Sequence, residues 1–252
     1  KVDGKENTFF LEWNKEYKDF YLENIEVPFS NVWIAQQTIL KLPKNSVLHL
    51  GILNSLRTWN YFDIDDTIMV YSNTGGFGID GCVSSLIGAS LLEINKLFFG
   101  IIGDLTFFYD MNSVGNRHVG NNLRIMIVNN GRGTEFRNYG HLGSKFGDDA
   151  DAYIAAAGHY GNKLIKHYAE DLGFEYISAS NKDEYLNKLD IFIDPKMRGK
   201  SVIFEVFTDS NDESEAIKIM KNIKVSKKTA SKRLVKSILG ENVISGLKKI
   251  LK

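Results

Sequence analysis

The sequence predicts an α/β fold: three α/β/α layers on a mainly parallel sheet of about six strands. Two observations predict it. Short runs of Val, Ile, Leu and Phe, at 46–50, 97–102, 125–128 and 201–207, are apolar nearly throughout, as strands buried on both faces must be. Between them lie helix-length segments with apolar residues at helical spacing, the alternation that makes neighbouring strands parallel.

Residues 1–27 are polar and aromatic, with a helix expected through 11–17, and are read as a linker or docking arm. A helix then starts after Pro28 with Ser30 as its N-cap and Val32, Ile34, Ala35 and Ile39 on the apolar side; Pro43 ends it. Strands follow at 46–50 and 67–71. A glycine-rich loop over 73–81 feeds a helix of small residues over 82–92. Next come a strand at 97–102, a helix over 107–118 and a strand at 125–128. The loop 131–147 is long enough to suggest a functional cover. Helices over 150–157 and 161–172, an apolar run at 174–177, a helix capped near Asn181, the strand 201–207 and a helix over 212–222 complete a domain assigned to 28–222.

A hydrophobic share of 43% with 25% charged residues, in 252 residues, is ordinary for a globular protein with a sizeable core. The single Cys82 excludes an intrachain disulfide framework, and a cytoplasmic home is the simplest expectation. No apolar run approaches 18 residues. The chain opens on Lys1 rather than Met, which points to a piece of a longer protein.

Zero net charge hides an asymmetry. Residues 221–252 hold ten Lys/Arg and one acid, Glu241, against 21 basic and 30 acidic residues elsewhere. In this tail, assigned to 223–252, Leu234, Val235, Ile238, Leu239, Val243, Leu247, Ile250 and Leu251 recur at helical spacing among lysines. The pattern suits a membrane-surface helix, a partner-docking helix or one folding back on the acidic domain, with docking on protein preferred. Without an aromatic stacking platform, nucleic acid is not expected.

The most informative segments are Gly103-Asp104-Leu105-Thr106 and Asn129-Asn130-Gly131-Arg132-Gly133, each ending a strand. A strand–helix–strand unit with right-handed crossover brings both carboxyl ends to one rim, so Asp104 and Asn130, 26 positions apart, should converge there. A carboxylate, an amide oxygen and turn carbonyls make a hard-oxygen half-shell suited to Mg²⁺ with a phosphorylated ligand. Asp104 alone would be no more than a helix cap; paired with Asn130 it reads as a metal–diphosphate site. The N–H groups of Leu105 and Thr106 and the Thr106 hydroxyl would serve the phosphate.

A Gly-Asp pair followed some 25 residues later by Asn-Asn resembles the thiamine-diphosphate motif of 2-oxo-acid decarboxylases and carboligases. Within that family the chain is most similar to the menaquinone-pathway branch, the 2-succinyl-5-enolpyruvyl-6-hydroxy-3-cyclohexene-1-carboxylate synthases. Four segments carry the likeness in the family's order: Phe29-Ser30-Asn31-Val32; Asn54-Ser55-Leu56; Tyr71-Ser72-Asn73 with Gly78-Ile79-Asp80-Gly81; and Gly103-Asp104-Leu105 with Tyr109-Asp110-Met111-Asn112. The resemblance implies the family's thiamine-diphosphate-binding fold, with Mg²⁺ held by Asp104, Asn130 and the main chain of Arg132, where the family usually has a small residue. It also implies Ser55 near the diphosphate, Ile79 as the wedge that bends the cofactor, and Gly78 nearby beside the aminopyrimidine.

Two departures bear on substrate. The menaquinone branch places arginines for substrate carboxylates where this chain has Trp59 and Thr74; Arg57 and Arg132 are the nearby alternatives. A different small 2-oxo acid is therefore expected, with Glu135, Phe136, Arg137 and His141 on the cover loop as further candidates for shaping its pocket. His118, His159 and His167 have no motif around them, and Cys82 is read as packing. In the family a catalytic Glu sits on a separate pyrimidine-binding domain, reaching across from another subunit, and nothing here resembles that domain. The resemblance thus implies a homodimer or higher oligomer, a pyrimidine-domain partner, and little turnover by this chain alone. Two alternatives stand beside it: a catalytically incompetent cofactor-binding or scaffold module of the same fold, and an unrelated Mg²⁺-dependent phosphotransfer enzyme. The latter lacks a Walker loop or dinucleotide fingerprint here.

Overall fold

A computed structural model describes residues 8–21, 25–76, 78–138, 141–147, 149 and 162–223. Among these, six strands form one all-parallel sheet in the order β2-β1-β3-β4-β6-β5. They are β1 (Val47–Leu50), β2 (Met69–Ser72), β3 (Phe98–Gly103), β4 (Leu123–Asn129), β5 (Glu175–Ala179) and β6 (Val202–Phe207). The helices are α1 (Thr8–Tyr21), α2 (Asn31–Thr38), α3 (Asn54–Trp59), α4 (Cys82–Ser90), α5 (Asp104–Asp110), α6 (Leu164–Asp171), α7 (Lys182–Phe192) and α8 (Ser210–Asn222).

Alternation along the central strands feeds two cores. Phe99, Ile101, Met126, Val128, Phe204 and Val206 face one, with Trp33 and Ile34 of α2, Tyr185 and Phe192 of α7 and Ile217 of α8. Phe98, Ile102, Ile125, Ile127 and Ile203 face the other, with Val83 and Leu86 of α4, Phe107 of α5 and Ile165 of α6. The predicted three layers follow directly. Gly100 lets α4 approach the sheet, since a Cβ there would run into the Leu86 side chain.

Local chemistry starts the helices. Ser30 Oγ accepts from Trp33 N (3.4 Å) at the head of α2. Before α7, Asn181 Oδ1 accepts from Glu184 N (2.9 Å) while Glu184 Oε2 takes Ser180 N (2.8 Å), in the manner of a capping box. Asp209 Oδ1 accepts from Asn211 N (2.7 Å) ahead of α8.

Three expectations need correction or narrowing. The helix placed at 107–118 begins at Asp104 and ends at Asp110, giving way to a 3-10 turn, Met111–Gly115. Ser113 Oγ donates to the Asp110 carbonyl (2.7 Å), a side-chain bond that competes with helix continuation. β2 is an edge strand with Met69, Val70 and Tyr71 exposed, so of a run that reads as apolar only Ile68 is buried. The loop 131–147 contains two 3-10 turns, Thr134–Arg137 and Leu142–Phe146. The helix expected at 150–157 and the amphipathic tail lie outside the described residues. No helix among the described residues is long and apolar enough to cross a membrane.

Candidate functional site

The chain reverses direction across the sheet between β1 and β3, and that switch point is where open α/β sheets form a crevice at the strands' carboxyl ends. A cleft of about 250 Å³ opens there. The β1–α3 connection supplies Ile52, Leu53, Asn54 and Ser55; the end of β3 supplies Gly103, Asp104, Leu105 and Thr106; the loop after β4 supplies Asn130, Arg132, Thr134 and Glu135. Gly103 pairs with Val128 one residue before β4 ends, so Asp104 and Asn130 follow adjacent parallel strands onto the same rim. The predicted convergence is therefore present, and Ile79 reaches the same cleft from the loop before α4.

Asp104 is 2% exposed, and burial pushes its carboxyl up to about 7. The N–H groups of Leu105 and Gly131 act against that rise, while the charge of Glu205 adds to it. Asn130 Oδ1 accepts from Arg132 N (3.3 Å), and Gly131 turns the chain with φ +75°. The loop is strapped to α3 by side chains. Asn54 Nδ2 donates to Thr134 Oγ1 (2.7 Å), Asn138 Nδ2 to Asn54 Oδ1 (3.3 Å), and Arg57 Nη1 lies 2.5 Å from Glu135 Oε2.

The other predicted residues sort clearly. Gly78 stands beside Ile79 without lining the cleft, and Thr74 is exposed on the loop after β2. Arg57 reaches the site's edge through Glu135. Trp59 is a correction: its side chain is wholly buried and its indole N–H donates to Asn31 Oδ1 (2.9 Å), so it packs the core and cannot meet a substrate. Phe136 belongs to the turn Thr134–Arg137, and its side chain lies outside the described residues. His141 caps the next turn, its Nδ1 accepting from Gly143 N (2.9 Å). Ser55 is not the cap of α3; that position belongs to Leu53, whose φ of 72° is rare for a branched residue. Strain at Leu53, of order 1–3 kcal/mol, is thus held at a residue that lines the cleft.

The sequence patterns missed Glu213 and gave Asn31, quoted in the first resembling segment, no role in the site. Glu213 is 4% exposed and lines the cleft; its Oε1 accepts from Asn31 N (3.0 Å) and Thr208 Oγ1 (2.8 Å). Burial pushes this carboxyl up to about 7, and the neighbouring charges of Asp212 and Asp104 add to the rise.

No protein-family profile matches the chain. It is 32% identical over 217 residues to the 2-succinyl-5-enolpyruvyl-6-hydroxy-3-cyclohexene-1-carboxylate synthase of Bacteroides fragilis, covering 86% of this chain and 38% of that enzyme. The synthase of the same name from Christiangramia forsetii is 34% identical over 190 residues, 75% of this chain and 32% of that one. Among solved structures, the thiamine diphosphate-dependent 4-hydroxybenzoylformate decarboxylase of Rhodococcus jostii RHA1 shares the fold. Its TM-score is 0.56 at 16% identity, over 74% of this chain and 34% of that one. Over most of its own length the chain is a homologue of these synthases, and it has the fold of a thiamine diphosphate-dependent decarboxylase. It spans 38% of the length of the Bacteroides relative.

The donor set fits the family's cofactor. Among the described residues no cluster of three or more His, Cys, Asp or Glu side chains is arranged to hold a metal unaided. At the predicted positions the cleft offers the buried carboxylate of Asp104 and the amide oxygen of Asn130, both hard oxygen donors, with the buried Glu213 carboxylate also in its lining. That is an incomplete shell, the kind a divalent cation completes with phosphate oxygens and water. Asp104, with its carboxyl held high by burial, is a group that a cation would return to the ionised form.

Proposed function

We propose that residues 28–222 are the Mg²⁺- and thiamine-diphosphate-binding half of a 2-oxo-acid decarboxylase or carboligase. The observation that carries this is Asp104 and Asn130 meeting in one switch-point cleft with Ser55 and Ile79. Asp104, Asn130 and the carbonyl of Arg132 would hold the metal; Ser55, Leu105 and Thr106 would border the diphosphate; Ile79, with Gly78 beside it, would support the bent cofactor. Thiamine diphosphate supplies the means to stabilise the carbanion left when a 2-oxo acid loses CO₂. The chain's own residues would bind and orient it.

Activity would need a pyrimidine-binding domain that carries the acid for cofactor ionisation, in a homodimer or larger assembly in the cytoplasm. The substrate is a small 2-oxo acid other than the menaquinone one. Trp59, at one of the two arginine positions of that branch, is turned into the core, and Thr74, at the other, lies outside the cleft. Arg57, engaged with Glu135, and Arg132 are the cations near the cleft mouth.

The test is CO₂ release from a panel of 2-oxo acids with Mg²⁺ and thiamine diphosphate. The expected result is negligible turnover by this chain alone and clear turnover when a pyrimidine-binding domain is supplied. Rapid turnover by the chain alone, or none from any 2-oxo acid with the added domain, would contradict it.

A further inference from the structure

A carboxylate sits where a parallel sheet normally holds only apolar side chains. Glu205, inside β6, is 1% exposed, and burial raises its pKa. It accepts two hydrogen bonds, from Tyr176 OH (2.7 Å) and from Asn129 Nδ2 (2.6 Å). Burying such a group destabilises a fold unless it secures something else, and an apolar residue of similar size would pack a strand more cheaply.

What it secures is the turn that carries the proposed metal ligands. An ionised carboxylate only accepts, so the Asn129 amide must present its NH₂ to Glu205. The Asn129 carbonyl oxygen is thereby aimed the other way, where it accepts from Gly131 N (3.1 Å). The same Gly131 N–H acts on the Asp104 carboxylate. Gly131 sits at φ +75°, and one residue on, Arg132 N is held by Asn130 Oδ1. The path therefore runs from Tyr176 and Glu205 through Asn129 to Gly131, which lies between Asn130 and Arg132, whose amide and carbonyl oxygens would hold the metal.

We propose that Glu205 is a positioning residue for the metal half-shell, acting through Asn129 to fix the Asn130–Arg132 turn. The proposal takes the metal–diphosphate assignment of the cleft as given. Outer partners of this kind, when removed, typically lower metal affinity about 10–100-fold.

The test compares three variants with the unaltered protein. Each is measured by thermal midpoint, by Mg²⁺ titration at saturating thiamine diphosphate, and by NMR hydrogen exchange of the Gly131 amide without metal. Glu205→Leu removes both acceptor oxygens and should weaken Mg²⁺ about 10–100-fold. Its Gly131 amide should exchange faster, and the thermal midpoint, read alongside, separates this local change from a general loss of stability. Asn129→Ala breaks the path at its next member and should give the same two changes, which keeps the question open to refutation if Glu205→Leu fails to fold. Tyr176→Phe removes only the outer donor and should leave Mg²⁺ affinity within about 2-fold, as a partner one bond further from the ligands should.

Folded Glu205→Leu or Asn129→Ala protein with unchanged Mg²⁺ affinity and unchanged Gly131 exchange would overturn the proposal. So would an affinity loss in Tyr176→Phe equal to that in Glu205→Leu, since the network would then act only through general stability. Failure of the unaltered protein to take up Mg²⁺ would instead sink the proposed function, and the Gly131 exchange rates would still decide whether the path exists.

Discussion

The two ends of the sheet bury polar groups of opposite kinds. At the amino ends two buried side chains, Arg124 and Asn122, donate to carbonyls. Arg124, wholly buried, gives Nη1 to the carbonyls of Asn121 (3.2 Å) and Leu123 (2.9 Å) and Nη2 to that of Lys196 (3.2 Å). Asn122 Nδ2 reaches the carbonyls of Ser90 (3.0 Å) and Lys96 (3.2 Å). Toward the carboxyl ends lie three buried acceptors: Asp104, Glu205 and Glu213 are carboxylates whose pKa values burial raises. The first set ties loops together. The second set holds negative charge where it weakens the fold, which makes sense if a cation belongs there. Stability and ligand chemistry are thus assigned to opposite rims, as the strand direction of a parallel sheet allows.

The largest expected effect breaks the donor end. Arg124→Met leaves three carbonyls short of a donor and should cost about 3 kcal/mol in urea unfolding. Thiamine diphosphate affinity of the folded fraction should stay unchanged; a parallel loss would mean that the rims are not independent.

At the acceptor end the sign reverses. Asp104→Asn should stabilise the ligand-free protein at pH 8 by about 2 kcal/mol while abolishing metal-dependent binding. The same charges predict a pH dependence. The folded-state values of Asp104 and Glu213, both about 7, lie above their ordinary 3.8 and 4.5, so the folded state binds more protons between those limits. Their contribution to stability is fully present below about pH 4 and is lost as pH rises toward 7. Urea midpoints at pH 5 and pH 8 should show this fall, and Mg²⁺ with thiamine diphosphate should shrink it. A ligand-free protein whose stability rises over that window would show that other groups outweigh this pair.

Two smaller changes sharpen the contrast. Tyr185→Phe removes a buried 2.6 Å bond to Thr38, remote from both rims, and should cost about 1 kcal/mol with binding unaffected. Arg57→Ala removes a half-exposed ion pair and should move stability by less than about 1 kcal/mol. Its effect should fall on the KM for the 2-oxo acid in the assembled enzyme.

Much of this was legible because it is local. Caps at Ser30 and Asn181 are written within four residues, and the doubly buried strands at 98–103 and 123–129 announce themselves by continuous apolar runs. Asp104 and Asn130 could be paired because strand–helix–strand handedness converts spacing into position. Glu213 could not be found that way: it meets Asn31 across 182 positions, and only the finished fold brings helix α8 beside helix α2. Trp59 was misplaced because motif spacing sets the helix and not the face it turns inward. The exposure of β2 was equally hidden, since an edge is a property of sheet order rather than of the strand's own residues.

The most direct test of the central claim is calorimetric titration of thiamine diphosphate into the protein with and without Mg²⁺, alongside Asp104→Ala. The account predicts binding that requires both the metal and Asp104. Binding that is indifferent to Mg²⁺, or that survives intact in Asp104→Ala, would contradict it.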